Sequence, residues 1–454
     1  MESREPGDVA LAYQVMERMR ARMLLDRLDA GRLTEALAPG DPELELDERT
    51  SRVSAARSNP RFGAVRQPEL PALAEIQAAL EPDQAMIAYP LGGSGAQGSW
   101  ALVVTRDGAT PVRLPFSGSL DREVGTYLAL LARRDGSDGA AAARLHELLL
   151  RDVLAVLPAG VRRLILLPDR ALLARDFETS VAPSFAVWHR WRAAPAPQAS
   201  APMLALADPT LHARPGESLF RLAESSGLET GLGGLPHARR EVRAMGRCLG
   251  RGSRILTGER ATEQALKDAD LAAFRVIHLA AHTIVDERRQ ERSAVVLAPG
   301  ADEEDGLLQF REVVELDLQG RIVILSACRS ASGPVVGGDG VMGLANAFFL
   351  AGSRTVVAGL WPLRDDEASR LMEEFAEALS HGATVASGLA TARRSLIQRG
   401  APAAAWAGLV VFGDGDQVPR PGAREARGSG GRAAVVVGGL ALVLILALRV
   451  WRRA

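Results

Sequence analysis

Two side chains in this sequence are of the types that transfer acyl groups together. His282 follows an apolar run, Phe274–Ala280, and Cys328 follows a second one, Ile322–Leu325, 46 residues separating the pair. An unbroken apolar, β-branched run is the pattern of a strand buried on both faces. Ligands of open α/β sheets bind beyond the carboxyl ends of the strands, so a His and a Cys at those ends suit a general base and a nucleophile.

Two other chemistries compete for the same residues. His278 and His282 stand four apart, the spacing of a metal pair on a helix, but Val276, Ile277 and Leu279 predict a strand that spreads the two rings, and no third ligand is evident. His278 is then a structural histidine or a neighbour of the base. Gly338-Asp339-Gly340-Val341-Met342-Gly343 spells the dinucleotide fingerprint. That fingerprint must follow a strand directly, whereas Arg329 to Gly337 intervene, and no acidic residue closes the next apolar run, Thr355–Ala358. A glycine loop bordering the nucleophile and opening a helix through Phe348 accounts for the same letters.

Several spaced stretches occur together: Val276-Ile277-His278-Leu279-Ala280-Ala281-His282, Leu325-Ser326-Ala327-Cys328, Gly338 through Phe348, Ala351-Gly352, Leu360-Trp361-Pro362 with Asp366, and Trp406 through Gly413. In this order they resemble the CHAT family of caspase-like and separase-like cysteine peptidases. The resemblance implies Cys328 as nucleophile, His282 as base, and backbone N–H groups at Thr283 and Cys328 as oxyanion donors, with no metal or organic cofactor. The family usually carries Gly after the catalytic His, where this chain has Thr283, so a Cβ stands where substrate approaches closely. Asp339, and less so Asp366, are the acidic residues that would bias the substrate side chain at the cleft. The alternative from another class is a noncatalytic signalling or scaffold module with a vestigial dyad.

The elements that must position these residues are expected to be an α/β fold: a caspase-like, mostly parallel sheet with helices on both faces, preceded by a pseudo-caspase-like half. The 454 residues, 47% of them hydrophobic, suffice for two or three domains. Residues 1–60 read as a helical arm, with Val9, Tyr13, Met16, Met19 and Met23 at helical spacing. Residues 70–200 read as the pseudo-caspase half, with a hairpin at Trp100–Thr105 and Pro111–Leu114. Residues 201–413 read as the catalytic half, with strands at Met203–Ala207, Arg275–Ala280, Ala294–Leu297, Ile322–Leu325 and Thr355–Ala358 and helices at Pro236–Leu249, Asp365–Ser380 and Thr384–Arg399.

Residues 414–432 are rich in Gly, Pro and Arg, the composition of a linker. Residues 433–448 then carry no polar side chain, and the run extends to Trp451 with Arg449 the one charge. Nineteen helical residues, 433–451, rise about 28 Å, close to a bilayer core of about 30 Å. The expectation is a single-pass tail anchor in the inner membrane. The polar start, Met1 to Pro6, lacks a signal-peptide core, which leaves the catalytic part cytoplasmic.

A net charge of −1 gives no general pull toward nucleic acid, and two cysteines, Cys248 and Cys328, exclude a disulfide framework. Of the 54 basic residues only Lys267 is a lysine. By resemblance, the partner is a protein substrate cut in a regulated way, as in bacterial defence or cell death, where relatives cut gasdermin-like pore formers that are commonly encoded nearby.

Overall fold

Apolar runs without a polar face form the centre of a sheet that has eleven strands among the described residues. The computed structural model describes residues 7–18, 70–89, 99–115, 120–167, 177–194, 198–211, 233–284, 293–300, 304–326, 339–361 and 363–419. Cys328, Gly338 and the apolar stretch 433–451 lie outside these residues; no helix among the described residues is long and apolar enough to cross a membrane.

The first part of the chain supplies helices α1 (residues 7–18) and α2 (Leu73–Ala79), strands β1 (Gln84–Ala88), β2 (Trp100–Thr105) and β3 (Gly108–Arg113), helices α3 (Leu120–Arg133), α4 (Gly139–Leu149) and α5 (Arg151–Ala155), strands β4 (Arg163–Leu167) and β5 (Glu178–Val181), and α6 (Phe185–Ala193). Strand β6 (Ala201–Pro209) opens the second part. It is followed by α7 (Pro236–Leu249), β7 (Arg254–Gly258), α8 (Glu263–Lys267), β8 (Phe274–Ala280), the short strands β9 (Thr283–Ile284), β10 (Ala294–Val296) and β11 (Leu307–Gln309), and α9 (Phe310–Glu315). The chain then forms β12 (Ile322–Leu325), α10 (Asp339–Leu350), β13 (Thr355–Gly359), α11 (Asp365–Ser380), α12 (Val385–Gln398), α13 (Ala403–Trp406) and β14 (Leu409–Gly413).

The sheet runs β3-β2-β1-β4-β5-β14-β13-β12-β8-β6-β7, so both parts of the chain share it, joined where Val181 of β5 pairs with Phe412 of β14. Strands β13, β12, β8, β6 and β7 are parallel to one another, as are β1, β4 and β5, while β1-β2-β3 and β13-β14 are antiparallel. The mixed α/β architecture with a mostly parallel sheet is thus the one expected.

Alternation along the strands divides the core in two. Ile277, Leu279, Val323 and Leu325 face Leu344, Phe348 and Val313. Val276, Ala280, Ile322 and Ile324 face Val242 and Met245 of α7, Leu371 and Phe375 of α11, and Leu389 of α12. The helices of this second layer have readable ends. Pro236 opens α7 and Gly250 closes it at φ 123°, Thr384 Oγ1 accepts the Ser387 N–H at 3.1 Å at the start of α12, and Asp365, Asp366 and Glu367 fill the first turn of α11.

Two expectations change. Ala294–Val296 does not join the parallel sheet: it pairs antiparallel with β9 and β11 in a separate three-stranded sheet. Only nine residues separate Ile284 from Ala294, fewer than the dozen or so that a parallel crossover needs, so the chain returns antiparallel. The stretch beyond Gly413, read from composition as linker, is still tied to the body. Asp416 accepts from Gln84 Nε2 at 2.7 Å, Arg163 Nη1 at 2.9 Å and Arg192 Nη1 at 3.0 Å, and the Thr355 hydroxyl meets Gln417 at 2.7 Å.

Candidate active site

The carboxyl end of β8 delivers His282, and the backbone pins it from two sides. Its Nε2 lies 2.6 Å from the carbonyl oxygen of Gly233, and its own carbonyl accepts the Val296 N–H of β10 at 2.8 Å. A carbonyl oxygen can only accept, so Nε2 carries a proton and the neutral ring keeps its basic lone pair on Nδ1; this tautomer is assigned from the bonding. The ring is 1% exposed. Gly233 is itself held in place: the Leu235 N–H donates to Asp208 Oδ1 at 2.7 Å, and Asp208, at φ 46° near the end of β6, also pairs with Arg239. A left-handed backbone suits Asp better than a branched residue, which lets its carboxylate turn back onto the loop ahead of α7.

Next to β8 in the sheet is β12, in parallel register, with Leu325 opposite Leu279. Cys328 lies outside the described residues; the last one before it, Ser326, is fully buried, and its N–H reaches the Leu279 carbonyl at 3.4 Å. On the α7 side of the sheet, Ser326 Oγ is 3.0 Å from His278 Nε2, and the same nitrogen is 2.7 Å from Glu241 Oε1 of α7. The Nε2 atom of each histidine is taken by a protein oxygen, Glu241 Oε1 for His278 and the Gly233 carbonyl for His282.

Thr283 sits in β9 opposite Val295 and is buried. Asp339 is the first described residue of α10. Asp366 occupies the first turn of α11, partly exposed, where its carboxylate meets Arg364 Nε at 3.2 Å and Arg370 at 3.9 Å. Its neighbour Asp365 turns inward, accepting the His237 N–H of α7 at 3.0 Å. Burial raises the Asp365 pKa, the His237 N–H opposes that, and the negative charges of Glu241 and Asp208 add to it.

Asp208, Glu241 and Asp365 were not read from the sequence as site residues, and Ser326 entered only as a letter of the stretch that ends in Cys328. Glu241 did leave a signal, a carboxylate one position from Val242 in the helical series Ala238, Val242, Met245, Leu249, all of which are buried.

An α/β sheet with a buried, backbone-anchored histidine at its carboxyl edge defines the class of site. Residues 139–414, more than half of the chain, match the CHAT domain, and the chain belongs to the CHAT-domain family. A mouse protein, tetratricopeptide repeat protein 28, is 27% identical over 117 residues, which are 25% of this chain and 5% of that one. Among solved structures, the separase–securin complex of Saccharomyces cerevisiae aligns with 90% of this chain and 34% of its own at 10% identity and TM-score 0.49. The Arg-specific cysteine proteinase gingipain R of Porphyromonas gingivalis aligns with 66% of this chain and 75% of its own at 9% identity and TM-score 0.39. The chain thus spans about a third of the separase chain and a twentieth of the mouse protein.

Proposed function

We propose that the chain is a cysteine endopeptidase with His282 as base and Cys328 as nucleophile. One observation supports this reading: Leu325 of β12 is paired with Leu279 of β8 in parallel register, and in the sequence His282 and Cys328 each come three residues after their paired leucine. Adjacent strands lie about 4.8 Å apart, so equal offsets from paired positions suit a proton transfer between the two side chains.

His282 Nδ1 takes the thiol proton, and the thiolate sulfur attacks the peptide carbonyl carbon. The resulting oxyanion is held by backbone N–H groups at Thr283 and Cys328. Collapse breaks the C–N bond, and the leaving amine takes the proton back from the imidazolium. Water, deprotonated by His282, then releases the acyl group from sulfur and restores the thiol.

The substrate is a partner protein. Asp339, at the glycine loop, is the acidic residue proposed to favour a basic side chain there, since Asp366 is engaged with Arg364. Residues 433–451 are proposed as a membrane anchor that keeps the enzyme at the inner membrane facing the cytoplasm, close to a membrane-associated target such as a pore former. Thr283 in place of the family glycine favours the second reading, a scaffold with a vestigial dyad.

The test is substitution. Cys328→Ala should abolish peptidase activity and thiol-probe labelling, while Cys248→Ala should spare both. Activity that survives Cys328→Ala, with equal labelling of the two thiols in the native protein, would end the proposal, whereas a native protein without peptidase activity would favour the scaffold.

A further inference from the structure

Beneath the carboxyl edge lies a polar group that the proposed reaction does not use. Glu241, His278 and Ser326 come from α7, β8 and the residue just after β12, and they are 2%, 0% and 0% exposed. A carboxylate on the inner face of a helix costs several kcal/mol unless it is bonded, so its presence in an otherwise apolar layer calls for a function. The group has the composition of a Ser–His–acid triad but not its wiring. A triad needs the acid on one ring nitrogen and the hydroxyl on the other, so that a proton taken at one is balanced across the ring. Here both partners approach Nε2, and among the described residues the buried Nδ1 has no hydrogen-bond partner. No proton can be passed through such a ring, and no substrate reaches a fully buried hydroxyl.

What the arrangement can do is hold. An ionised carboxylate can only accept, so Nε2–H donates to Glu241, and Ser326 Oγ sits within reach of the same hydrogen. Ser326 is the last residue of the β12 edge before the chain continues to Cys328, two positions on. Its backbone bond to Leu279 is long, at 3.4 Å, so the side-chain contact is its shorter attachment to β8.

We propose that Glu241, His278 and Ser326 form a positioning relay that fixes the direction in which the chain leaves β12, and with it the placing of the Cys328 sulfur against His282. This rests on the reading of Cys328 as nucleophile. His278 and Ser326 are positioning residues: they touch neither substrate nor the reacting atoms. Near-attack placement is sensitive to about 1 Å, a displacement that can cost about a hundredfold in rate. Asp365 at the start of α11 lies close enough for its charge to interact with that of Glu241, and His237 of α7 and Asp208 near the end of β6 lie close to Asp365 in turn.

The experiment uses the full chain carrying Cys248→Ala, so that Cys328 is the one thiol. Peptide turnover and the pH profile of iodoacetamide alkylation are measured for this protein and for Ser326→Ala, Glu241→Gln, His278→Gln and His278→Leu. Ser326→Ala and Glu241→Gln change little volume, so folding is checked by thermal melting and retained. The relay predicts that Ser326→Ala lowers kcat by about ten- to a hundredfold with KM little changed. It also predicts that the alkylation midpoint moves toward the ordinary thiol value of about 8.5. Glu241→Gln follows in the same direction, and His278→Gln, which keeps a donor, recovers part of what His278→Leu loses. A merely structural role would lower the melting temperature and leave kcat and the alkylation profile of the folded protein alone, and that outcome overturns the relay. Failure of the underlying reading looks different: turnover then persists in Cys328→Ala, whatever the relay variants do.

Discussion

Raising the pH should destabilise this protein through one buried carboxyl group, and Glu263→Gln should remove the effect. Glu263, Glu304 and Glu312 surround Lys267, whose Nζ lies 2.8, 2.7 and 2.9 Å from one oxygen of each. An ammonium carries three donors in a compact head, which matches three converging acceptors where a planar guanidinium fork would not. The other Glu263 oxygen accepts the Gly306 N–H at 3.1 Å. Gly306 is at φ 83°, and a Cβ there would stand 2.7 Å from the Leu297 carbonyl oxygen, so this donor is fixed in place. Burial pushes the Glu263 carboxyl up to about 8 from an ordinary 4.5; Lys267 opposes the rise and Glu312 adds to it.

The sign follows from proton counting. Between 4.5 and about 8 the folded chain holds a proton at Glu263 that the unfolded chain has lost, so stability falls as pH rises through that window and levels off above it. At about 1.4 kcal/mol per tenfold the ceiling is about 5 kcal/mol, and coupling to a partly exposed ammonium reduces the expected loss to about 1–3 kcal/mol. The assay is guanidinium denaturation of wild type and Glu263→Gln at pH 6 and pH 8.5, compared as a difference so that other titrating groups cancel. Wild type should lose about 1–3 kcal/mol relative to the variant between the two pH values. Parallel profiles, or a wild type that gains on the variant as pH rises, would refute the reasoning. The site should sense the change, because Gly306 accepts the Leu297 N–H beside β10, and the next residue back, Val296, is bonded to the His282 carbonyl. Amide exchange at Val296 should quicken over the same range.

Phe375, fully buried between α7, α11 and α12, should cost about 3–5 kcal/mol on replacement with Ala, read from the denaturation midpoint. Asp416→Ala strips one acceptor from Gln84, Arg163 and Arg192 together and should cost about 1–3 kcal/mol in the same assay; a loss within about 0.5 kcal/mol would mean that water replaces the carboxylate. Truncation after Gly431 should move the protein from the membrane pellet to the soluble fraction while turnover of a small peptide stays near the full-length value; a truncated chain that still pellets refutes the anchor.

The boundaries of β8, β12, α7 and α11 were legible because each rests on a local signal: an unbroken apolar run, a proline at the first helical turn, acids at a helix start. His282 was legible for the same reason, as the polar residue that ends such a run. β5 was not, since Glu178-Thr179-Ser180-Val181 carries no strand pattern, and its place comes from the Val181–Phe412 pairing and from its parallel ladder to β4. Asp416 looked like linker because composition says nothing of partners that lie more than 200 residues away in Arg163 and Arg192. Glu241 was hidden by the same limit: its partner is a histidine 37 residues further along, on a strand whose facing side is known only once α7 is laid across it.

That last contact also shows which element organises the edge. Gly233, in the loop entering α7, holds the His282 ring; Glu241, in its second turn, holds His278 and through it Ser326. The proposed base and the strand that leads to the proposed nucleophile are therefore both attached to one segment nine residues long, from Gly233 to Glu241. Asp208 fixes that segment from β6 through Leu235, and Asp365 fixes it from α11 through His237. Both restraints are carboxylates on backbone N–H groups at the helix start, where the dipole of α7 favours negative charge. A shift of α7 against the sheet would move His282 and Ser326 in the same step, so the geometry of the two is set once, by how this helix seats.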